Sequence, residues 1–384
     1  MNLLLNTGPI APRLGNNAAL LLKILPYLKK YHAVRLLSSC GSAPLNHQLS
    51  EYTGFSVIWG TPQRNGLQGL YDSAAAKLID RNGYSDYVGA KRLKAAADNL
   101  LKSDPLDAIV STMEPYPAAD AAARIHCKNR ILYLMDPPAC ISNGQSTPYR
   151  NRRLKKILAR HNVILTTPFI RAALIENGFN QFEERIVPVG FPLIERHDIR
   201  ANTIDSRIHL LFCGWLYSDI RSPKYFLDIL SRLDERFVVT FMGRECEKLA
   251  ERFDIQTKAE LITLPQQPYE VALQAMADAD IMINIGNSVP VHMPSKTLEY
   301  INTGKPFVNF YKMDDCPTLY YTNRYPLCLN ISEKDANLDA AARRFIDFCV
   351  ENKGKTVDRD YIEREYEDCT PRYIAQKILD ALGE

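Results

Sequence analysis

The nine cysteines of this 384-residue chain form no C-x-x-C pair, and none has a histidine partner at zinc-finger spacing. The pattern therefore predicts neither a disulfide framework nor a structural zinc site. An odd, unpatterned set of thiols is typical of a reduced, cytoplasmic protein. No run approaches the roughly 18 apolar residues of a membrane span. The N-terminal leucine run has no basic segment before it, so we expect a first strand there rather than a signal peptide.

The chain also lacks a strong excess of charge, an internal repeat and the common phosphate and nucleophile motifs. Its net charge of +3 is too small to indicate a nucleic-acid partner. Neither G-x-G-x-x-G, nor a Walker A motif, nor G-x-S-x-G is present. With 46% apolar and 24% charged residues, the composition is that of a globular protein with a sizeable core.

Short apolar strands alternate with helical patterns, which favours α/β domains with parallel sheets and crossover helices. In the first half, the strand candidates are residues 2–5, 34–38, 56–59, 108–111, 131–135, 163–166 and 186–192. The helix candidates are residues 18–31, 69–81, 85–102, 117–127, 149–161 and 168–177.

The pattern then restarts. The strand candidates of the second half are residues 208–212, 238–242, 261–264, 281–285 and 307–310. The helix candidates are residues 223–233, 245–253, 269–277 and 295–303. We predict a Rossmann-like domain over 1–192, a linker over 193–206, a second such domain over 207–370, and a helix over 371–384 that crosses back to the first. Two doubly wound domains of this kind face a central cleft, and ligands bind beyond the carboxyl ends of the strands.

One strand-to-helix loop has the features of an anion site. Ser295 is a suitable N-cap, and Gly304 suits the left-handed residue that ends a helix. Free N–H groups around Ser295 to Thr297, the helix dipole and the charge of Lys296 suit a phosphate. Glu299, one turn further on, is placed to accept hydrogen bonds from a vicinal diol such as a ribose. The spacing predicts a nucleoside diphosphate site; a plain capped helix with a solvated glutamate is the alternative.

The letters from residue 294 onwards read P-S-K-x-x-E-Y-x-x-x-G-K-P. This pattern resembles the signature of family 4 glycosyltransferases, which are retaining enzymes of the GT-B class. The resemblance implies that Glu299 binds the ribose of a nucleotide-sugar donor. Asn287 and His292, in the loop before the helix, complete the donor-binding set that we predict here, with His292 a candidate contact for the sugar.

A second segment, L-F-C-G-W-L, is similar to the F-x-G-R-L…K-G segment that opens the donor domain of that family. Gly214 matches the glycine that lets the donor approach, whereas Trp215 stands where the family has an arginine. We expect Arg221 to supply the missing charge to the diphosphate, with Lys224 as the second choice. Gly243 resembles the glycine of the next strand-to-glycine turn.

The chain departs from the family at one position. The usual E-x7-E pair places a glutamate against the transferred sugar, but Val291 stands there. This departure leaves the identity of the sugar open and keeps a non-catalytic sugar-nucleotide binder as an alternative.

The first half offers candidates for the acceptor. Gly15 and Asn16 lie in the loop after the first strand, and an ordinary glycine-containing turn is the alternative for this loop. Asp136 directly follows a strand, where a carboxylate can act as a base or orient a hydroxyl group; a capping aspartate is the alternative. Glu114 is a comparable candidate.

The predicted helix over 149–161 is basic on one face and carries Leu154, Ile157 and Leu158 on the other. Such a helix can lie on an anionic lipid surface, and a solvated helix packed on the core is the alternative. A nucleic-acid partner is not expected, because aromatic residues do not alternate with the charges.

The triplet Asp278-Ala279-Asp280 has the D-x-D form of metal-binding glycosyltransferases. It lies between a predicted helix and a predicted strand, so we interpret it as a cap and expect neither a metal nor another cofactor.

Together these features predict a cytoplasmic, metal-independent hexosyltransferase with Asp136, Arg221 and Lys296 as catalytic residues. It would move a sugar from a nucleotide diphosphate to a glycan or lipid-linked acceptor in polysaccharide biosynthesis, with possible contact to the inner membrane face. A sugar-nucleotide epimerase or hydrolase is a further alternative.

Overall fold

The computed structural model describes residues 1–8, 15–30, 33–40, 57–58, 70, 74, 81–101, 105–113, 116–142, 146–197, 199–202, 206–216 and 220–383. The chain divides into two compact units. The first comprises Met1–Pro192 and Asp368–Glu384, and the second comprises Leu193–Glu367.

The first unit is built on a parallel sheet. Its strands are β1 (Asn2–Thr7), β2 (Ala33–Cys40), β3 (Val57–Ile58), β4 (Ala108–Thr112), β5 (Asn129–Leu134), β6 (Val163–Thr166) and β7 (Ile186–Pro188). They are ordered β3-β2-β1-β4-β5-β6-β7, so the direction in which strands are added reverses between β1 and β4. The strands predicted near 2–5, 34–38, 108–111, 131–135 and 163–166 are confirmed. The strand predicted over 186–192 ends at Pro188, and of the one predicted over 56–59 only residues 57–58 are described.

Helices connect these strands. They are α1 (Asn16–Leu28), α2 (Arg81–Leu100), α3 (Tyr116–Ala122), α4 (Ala139–Ser142), α5 (Pro148–Arg160) and α6 (Pro168–Leu174). Both α5 and α6 start with Thr-Pro: the hydroxyls of Thr147 and Thr167 accept hydrogen bonds from the third backbone N–H that follows, and proline occupies the first helical position. The helix predicted over 69–81 lies mostly outside the described residues.

Helix α5 packs its apolar face on the core of the first unit. Leu154, Ile157 and Leu158 are at most 1% exposed. His161, which follows the helix, is also buried; its Nδ1 lies 2.8 Å from the Ile157 carbonyl oxygen, and burial lowers its pKa to about 4. The packed-helix alternative is therefore correct for the apolar side chains, which are not available to a bilayer. The outer face of α5 stays basic.

The second unit contains a parallel sheet with the Rossmann strand order. Its strands are β8 (Ile208–Cys213), β9 (Phe237–Met242), β10 (Glu260–Leu264), β11 (Ile281–Ile285), β12 (Phe307–Tyr311) and β13 (Cys328–Ser332). The order β10-β9-β8-β11-β12-β13 reverses between β8 and β11. In open α/β sheets this switch point is where ligands bind, beyond the carboxyl ends of the strands.

The helices of the second unit are α7 (Lys224–Leu230), α8 (Leu249–Arg252), α9 (Tyr269–Asp278), α10 (Lys296–Thr303), α11 (Pro317–Thr322), α12 (Leu338–Asn352) and α13 (Arg359–Glu365). The prediction of a helix over 245–253 was wrong for its first half. Glu245 has a positive φ of 67°, which a right-handed helix does not allow, so only the short α8 forms.

Helix α14 (Pro371–Leu382) belongs to the first unit, where it packs against α1 and β5. The Thr370 hydroxyl caps it by accepting a hydrogen bond from the Tyr373 N–H, and Gly383 ends it in the left-handed conformation. Its apolar face is buried at Ile374, Ala375, Ile378, Leu379 and Leu382.

The segment before β8 is tied to the second unit by hydrogen bonds. Asp278, the last residue of α9, accepts hydrogen bonds from the backbone N–H and the side chain of Asn202. Asp280 accepts one from the His209 N–H at 2.9 Å. The D-x-D triplet thus ends a helix and fixes the entry to β8, as the capping interpretation predicted.

No helix in the described part of the chain combines the length and apolar character needed to cross a bilayer.

Candidate functional site

The loops after β8 and β11 meet at the switch point of the second sheet. The Ser288 N–H, after β11, donates to the Ile220 carbonyl, after β8, at 2.8 Å. Gly286, at the end of β11, lies so close to β12 that a Cβ there would be 2.9 Å from the Phe310 carbonyl oxygen. The start of the loop after β11 is therefore held between β12 on one side and Ile220 on the other.

Gly214 and Gly243 bring the ends of β8 and β9 into direct contact. Gly243 has a φ of 140°, and a Cβ on it would lie 1.9 Å from the Gly214 carbonyl oxygen. The Gly214 N–H donates to the Met242 carbonyl at 2.9 Å. The sequence predicts these glycines as places of donor approach; the structure shows that close packing of the two loops also requires Gly243.

Arg221 connects the two loops at the switch point. Its side chain is 8% exposed; its Nε donates to Asn287 Oδ1 at 2.9 Å and its Nη1 to the Trp215 carbonyl oxygen at 3.2 Å. The Asn287 amide in turn donates to the His292 carbonyl oxygen at 2.9 Å and lies 2.7 Å from His292 Nδ1. The structure thus brings together three predicted donor-site residues, with the Arg221 guanidinium held by protein oxygens.

Helix α10 begins after Ser295, as predicted, but the Ser295 side chain makes no capping hydrogen bond because this residue has helical φ and ψ angles. The expectation of a serine cap was wrong. The Thr297 N–H donates to the Pro294 carbonyl at 3.1 Å. One of the amides expected to bind a phosphate is therefore already used in a backbone hydrogen bond. Gly304 ends the helix in the left-handed conformation with a φ of 75°, as predicted.

Lys296 and Glu299 lie side by side on the first turn of α10. Lys296 Nζ is 2.6 Å from Glu299 Oε2, and the two side chains are only 23% and 13% exposed. Burial lowers the pKa of Lys296, but the adjacent Glu299 carboxylate outweighs this effect and raises it above its ordinary value. An ammonium group and a carboxyl group therefore stand together at the start of the helix, where a phosphate and a diol are expected.

Glu299 also borders a cavity of about 340 Å³ inside the second unit, which is within the size range of small-molecule sites. Tyr269 and Leu273 of α9 and Asn302 of α10 share its lining. Burial, and secondly the Glu299 carboxylate, raise the pKa of Tyr269 to about 12, so its hydroxyl stays protonated. No pattern in the sequence indicates a role for Tyr269, because nothing local distinguishes it from any other tyrosine at the start of a helix.

Lys224 occupies the first position of α7 and is 71% exposed. Its Nζ forms an ion pair with Asp228 one turn further on, at 3.3 Å. The structure therefore directs this side chain along its own helix, whereas Arg221 is held between the two loops.

A stacked pair that the sequence analysis missed lies at the ends of β8 and β9. The guanidinium carbon of Arg244 lies 3.9 Å from the centroid of the Trp215 ring. Arg244 directly follows Gly243, so the contact between the two glycines sets the pair side by side. The sequence feature that could have indicated Arg244 is a basic residue immediately after a strand-to-glycine turn.

In the first unit, Asp136 lies at the end of β5 and its Oδ2 accepts a hydrogen bond from Asn17 Nδ2 at 3.0 Å. Gly15 is the N-cap of α1, and its carbonyl oxygen accepts from the Ala19 N–H at 2.9 Å, while Asn16 is the first residue of the helix. The first turn of α1 and Asp136 are thus brought together. Residues 9–14 and Glu114 lie outside the described residues.

Within the residues that the structure describes, no group of three or more histidine, cysteine, aspartate or glutamate side chains is arranged to hold a metal ion.

No family model matches the chain, and no curated protein matches it in sequence. Solved structures do resemble it. One described as Anabaena Alr3699/HepE in complex with UDP and glucose has a TM-score of 0.66 at 13% identity, covering 100% of this chain and 99% of that chain. The apo form of the lipopolysaccharide outer core galactosyltransferase WaaB has a TM-score of 0.60 at 12% identity, covering 100% of this chain and 99% of that one.

A UDP-N-acetylglucosamine 2-epimerase is also similar, with a TM-score of 0.54 at 11% identity over 96% of this chain and 95% of that chain. Likenesses at this level of identity establish the fold. The chain therefore has the GT-B fold, with two Rossmann-like units built on parallel sheets.

Proposed function

We propose that this protein is a metal-independent glycosyltransferase that uses a nucleoside diphosphate sugar as its donor. The observation that carries the proposal is the first turn of α10, where Lys296 and Glu299 stand 2.6 Å apart. This turn follows β11, one of the two strands at the switch point of the sheet. A cation with helix amides suits a diphosphate, and a carboxylate suits a ribose diol. The similar HepE structures, described as complexes with UDP and glucose and with UDP-glucose, support a donor of this kind.

In the proposed reaction the bond between the anomeric carbon and the diphosphate breaks, and negative charge develops on the departing phosphate. Lys296, the N-terminal amides of α10 and the Arg221 guanidinium stabilise that charge. The acceptor oxygen forms the new bond to the anomeric carbon as the diphosphate leaves. Asp136 of the first unit binds the acceptor hydroxyl and either takes its proton or orients it so that the proton passes to the departing phosphate. A family 4-like, retaining enzyme is the subtype that we propose from the motif around Glu299.

Glu299 provides the most direct test. Glu299→Ala removes the acceptor for two ribose hydroxyls, so we expect nucleoside diphosphate affinity to fall about 100-fold or more, whereas Glu299→Gln retains part of it. A thermal-shift screen of UDP, GDP, ADP and TDP identifies the ligand, and calorimetry measures its affinity. Glu270→Ala, which changes an exposed carboxylate on the first turn of α9, is the control. Unchanged affinity in Glu299→Ala contradicts the proposal.

A sugar-nucleotide epimerase or hydrolase is the second candidate, favoured by the similarity to a UDP-N-acetylglucosamine 2-epimerase. Incubation with the nucleotide sugar alone separates the two, because only this second candidate turns the sugar over without an acceptor. A non-catalytic binder, suggested by Val291 at the family's sugar-contacting position, binds the nucleotide sugar and shows no turnover with any acceptor.

We further propose that the acceptor is a glycan or a lipid-linked glycan of polysaccharide biosynthesis, and that α5 approaches an anionic membrane surface. The exposed face of this helix carries Arg152, Lys155, Lys156 and Arg160. With its leucines packed inside the unit, the attraction is electrostatic. The protein should sediment with phosphatidylglycerol vesicles at low salt, and the double variant Lys155→Glu/Lys156→Glu should not.

A further inference from the structure

Arg244 stacks on the ring of Trp215 at the edge of the second sheet where ligands bind. This arginine belongs neither to the family motif nor to the start of α10. Arg244 lies directly after Gly243 at the carboxyl end of β9, and its guanidinium carbon is 3.9 Å from the centroid of the Trp215 ring. Trp215 follows Gly214 at the carboxyl end of β8. Because neighbouring parallel strands end at the same edge, both residues project from the edge at which α10 begins.

Backbone hydrogen bonds and a close glycine contact hold the two segments that carry this pair. The Leu216 N–H donates to the Arg244 carbonyl oxygen at 3.1 Å, and the Gly243 N–H donates to the Leu264 carbonyl oxygen at 3.1 Å. Gly243 itself is so close to Gly214 that it cannot carry a Cβ. The loop that carries Arg244 is therefore held from both sides, and stacking on Trp215 orders its guanidinium plane.

Among the described residues, no carboxylate lies within ion-pair distance of the Arg244 guanidinium. The side chain itself is exposed. The adjacent Glu245 pairs with Lys248 at 3.3 Å instead. Arg221, by contrast, is only 8% exposed, and its guanidinium donates to oxygens of Asn287 and Trp215. Of these two arginines, Arg244 is the one whose guanidinium is accessible to an anion from solvent.

We propose that Arg244 binds the diphosphate of the donor, and that Trp215 is the positioning residue that holds its guanidinium in place. The proposal rests on the function proposed above, and it adds to Arg221 a second cation, on the loop after β9, that is exposed to solvent. A planar guanidinium with its donors in a fixed fork pairs with two phosphate oxygens at once. The stacked ring preorganises that fork, which lowers the entropy cost of binding.

The experiment compares three probes on each variant: the nucleoside diphosphate that stabilises the wild type most, its monophosphate and its nucleoside. Arg244→Ala should weaken the diphosphate about tenfold or more and leave the nucleoside within about twofold, because the lost contact is to phosphate only. Arg244→Lys should recover part of the loss as a point charge. Arg252→Ala is the matched control, since Arg252 is also exposed and lies 5.6 Å from the centroid of an aromatic ring, that of Phe253.

Trp215 is tested by rescue. Trp215→Leu should reduce the preference for diphosphate over nucleoside several-fold, and Trp215→Phe, which keeps an aromatic face, should restore most of it. A merely structural tryptophan would weaken all three probes alike in both variants. Circular dichroism melts verify that each variant is folded, and Arg244→Gln replaces Arg244→Ala if the latter fails.

The outcomes are distinct. A loss confined to the phosphate-containing probes in the Arg244 variants, absent in Arg252→Ala, supports the proposal. Wild-type affinity for the diphosphate in Arg244→Ala overturns it and leaves the proposed function standing. A wild-type protein that binds none of the nucleoside diphosphates overturns both.

Discussion

At the scale of single residues, a comparison of two glycines with positive φ distinguishes the free-energy cost of backbone strain from that of a steric clash. Gly243 and Gly354 both have positive φ angles, but only Gly243 has a backbone atom where its Cβ would lie. We expect Gly354→Ala to lower the free energy of unfolding by about 1 kcal/mol, from strain alone. Gly243→Ala should cost more than about 3 kcal/mol, because the Gly214 carbonyl has to move.

Urea unfolding of both variants measures the difference, and nucleotide affinity shows whether the loop was displaced. If Gly243→Ala were as stable as Gly354→Ala, the close contact with Gly214 would not exist in solution.

The sequence predicted residue positions better than residue contacts. Lys296 and Glu299 were predicted from their places at the start of the helix and from the P-S-K-x-x-E pattern; that the two side chains pair with each other was not predicted. The Ser295 cap failed because capping depends on φ and ψ, which composition does not specify. Arg244 was missed because its role depends on Trp215, 29 residues earlier in the chain, and only strand pairing brings the two together.

At the scale of elements, three asparagines join the strands β11, β12 and β13 inside the second unit. Asn284 donates to Asn309 at 2.7 Å, and Asn309 donates to Asn330 at 2.8 Å. The three residues are register partners, so a shift of one residue would break the row. Asn309→Leu leaves the buried Asn284 amide without its acceptor, whereas Asn330 Oδ1 keeps its hydrogen bond from the Thr322 hydroxyl. The change should cost about 1–3 kcal/mol of unfolding free energy.

Asn323, which accepts a hydrogen bond from Asn330 Nδ2 at the exposed end of this row, is the control. Its replacement by alanine should cost less than about 1 kcal/mol in the same urea titration. Equal stabilities of the two variants would show that the row does not specify the sheet.

Elements with strong periodicity and clear ends were predictable, and the others were not. Helix α5 was found from its spacing of leucines, but only the fold decides whether those leucines face the core or a lipid surface. Strand β13 and helices α11, α12 and α13 had no prediction, because residues 311–370 mix aromatic and charged residues without a clean alternation. Helix α8 shortened because Glu245 adopts a positive φ.

At the scale of the whole molecule, the alternation of strands and helices predicted two Rossmann-like sheets, and the similar solved structures share this fold. The order of strands within each sheet was not available from the sequence, because any order of parallel strands satisfies the same apolar pattern. That order matters for function, since it puts the switch point between β8 and β11 and so selects which loops form the site.

The second unit is one continuous segment of the chain and can be produced as a fragment, whereas the first unit is made of two segments. The second unit is the continuous segment 193–367, and it contains every donor-site residue named here together with a core of packed aromatic rings. We expect a fragment of residues 193–367 to fold cooperatively and to bind the nucleoside diphosphate within about threefold of the full chain.

The first unit is discontinuous because α14 returns to it. The four leucines and isoleucines that α14 buries contribute on the order of 6 kcal/mol or more. That amount is comparable to the whole stability of a domain, so residues 1–192 alone should not fold, whereas co-expression with residues 368–384 should restore part of the soluble product. Circular dichroism melts and calorimetry measure both halves, and a folded fragment 193–367 without nucleotide affinity would place the donor site elsewhere.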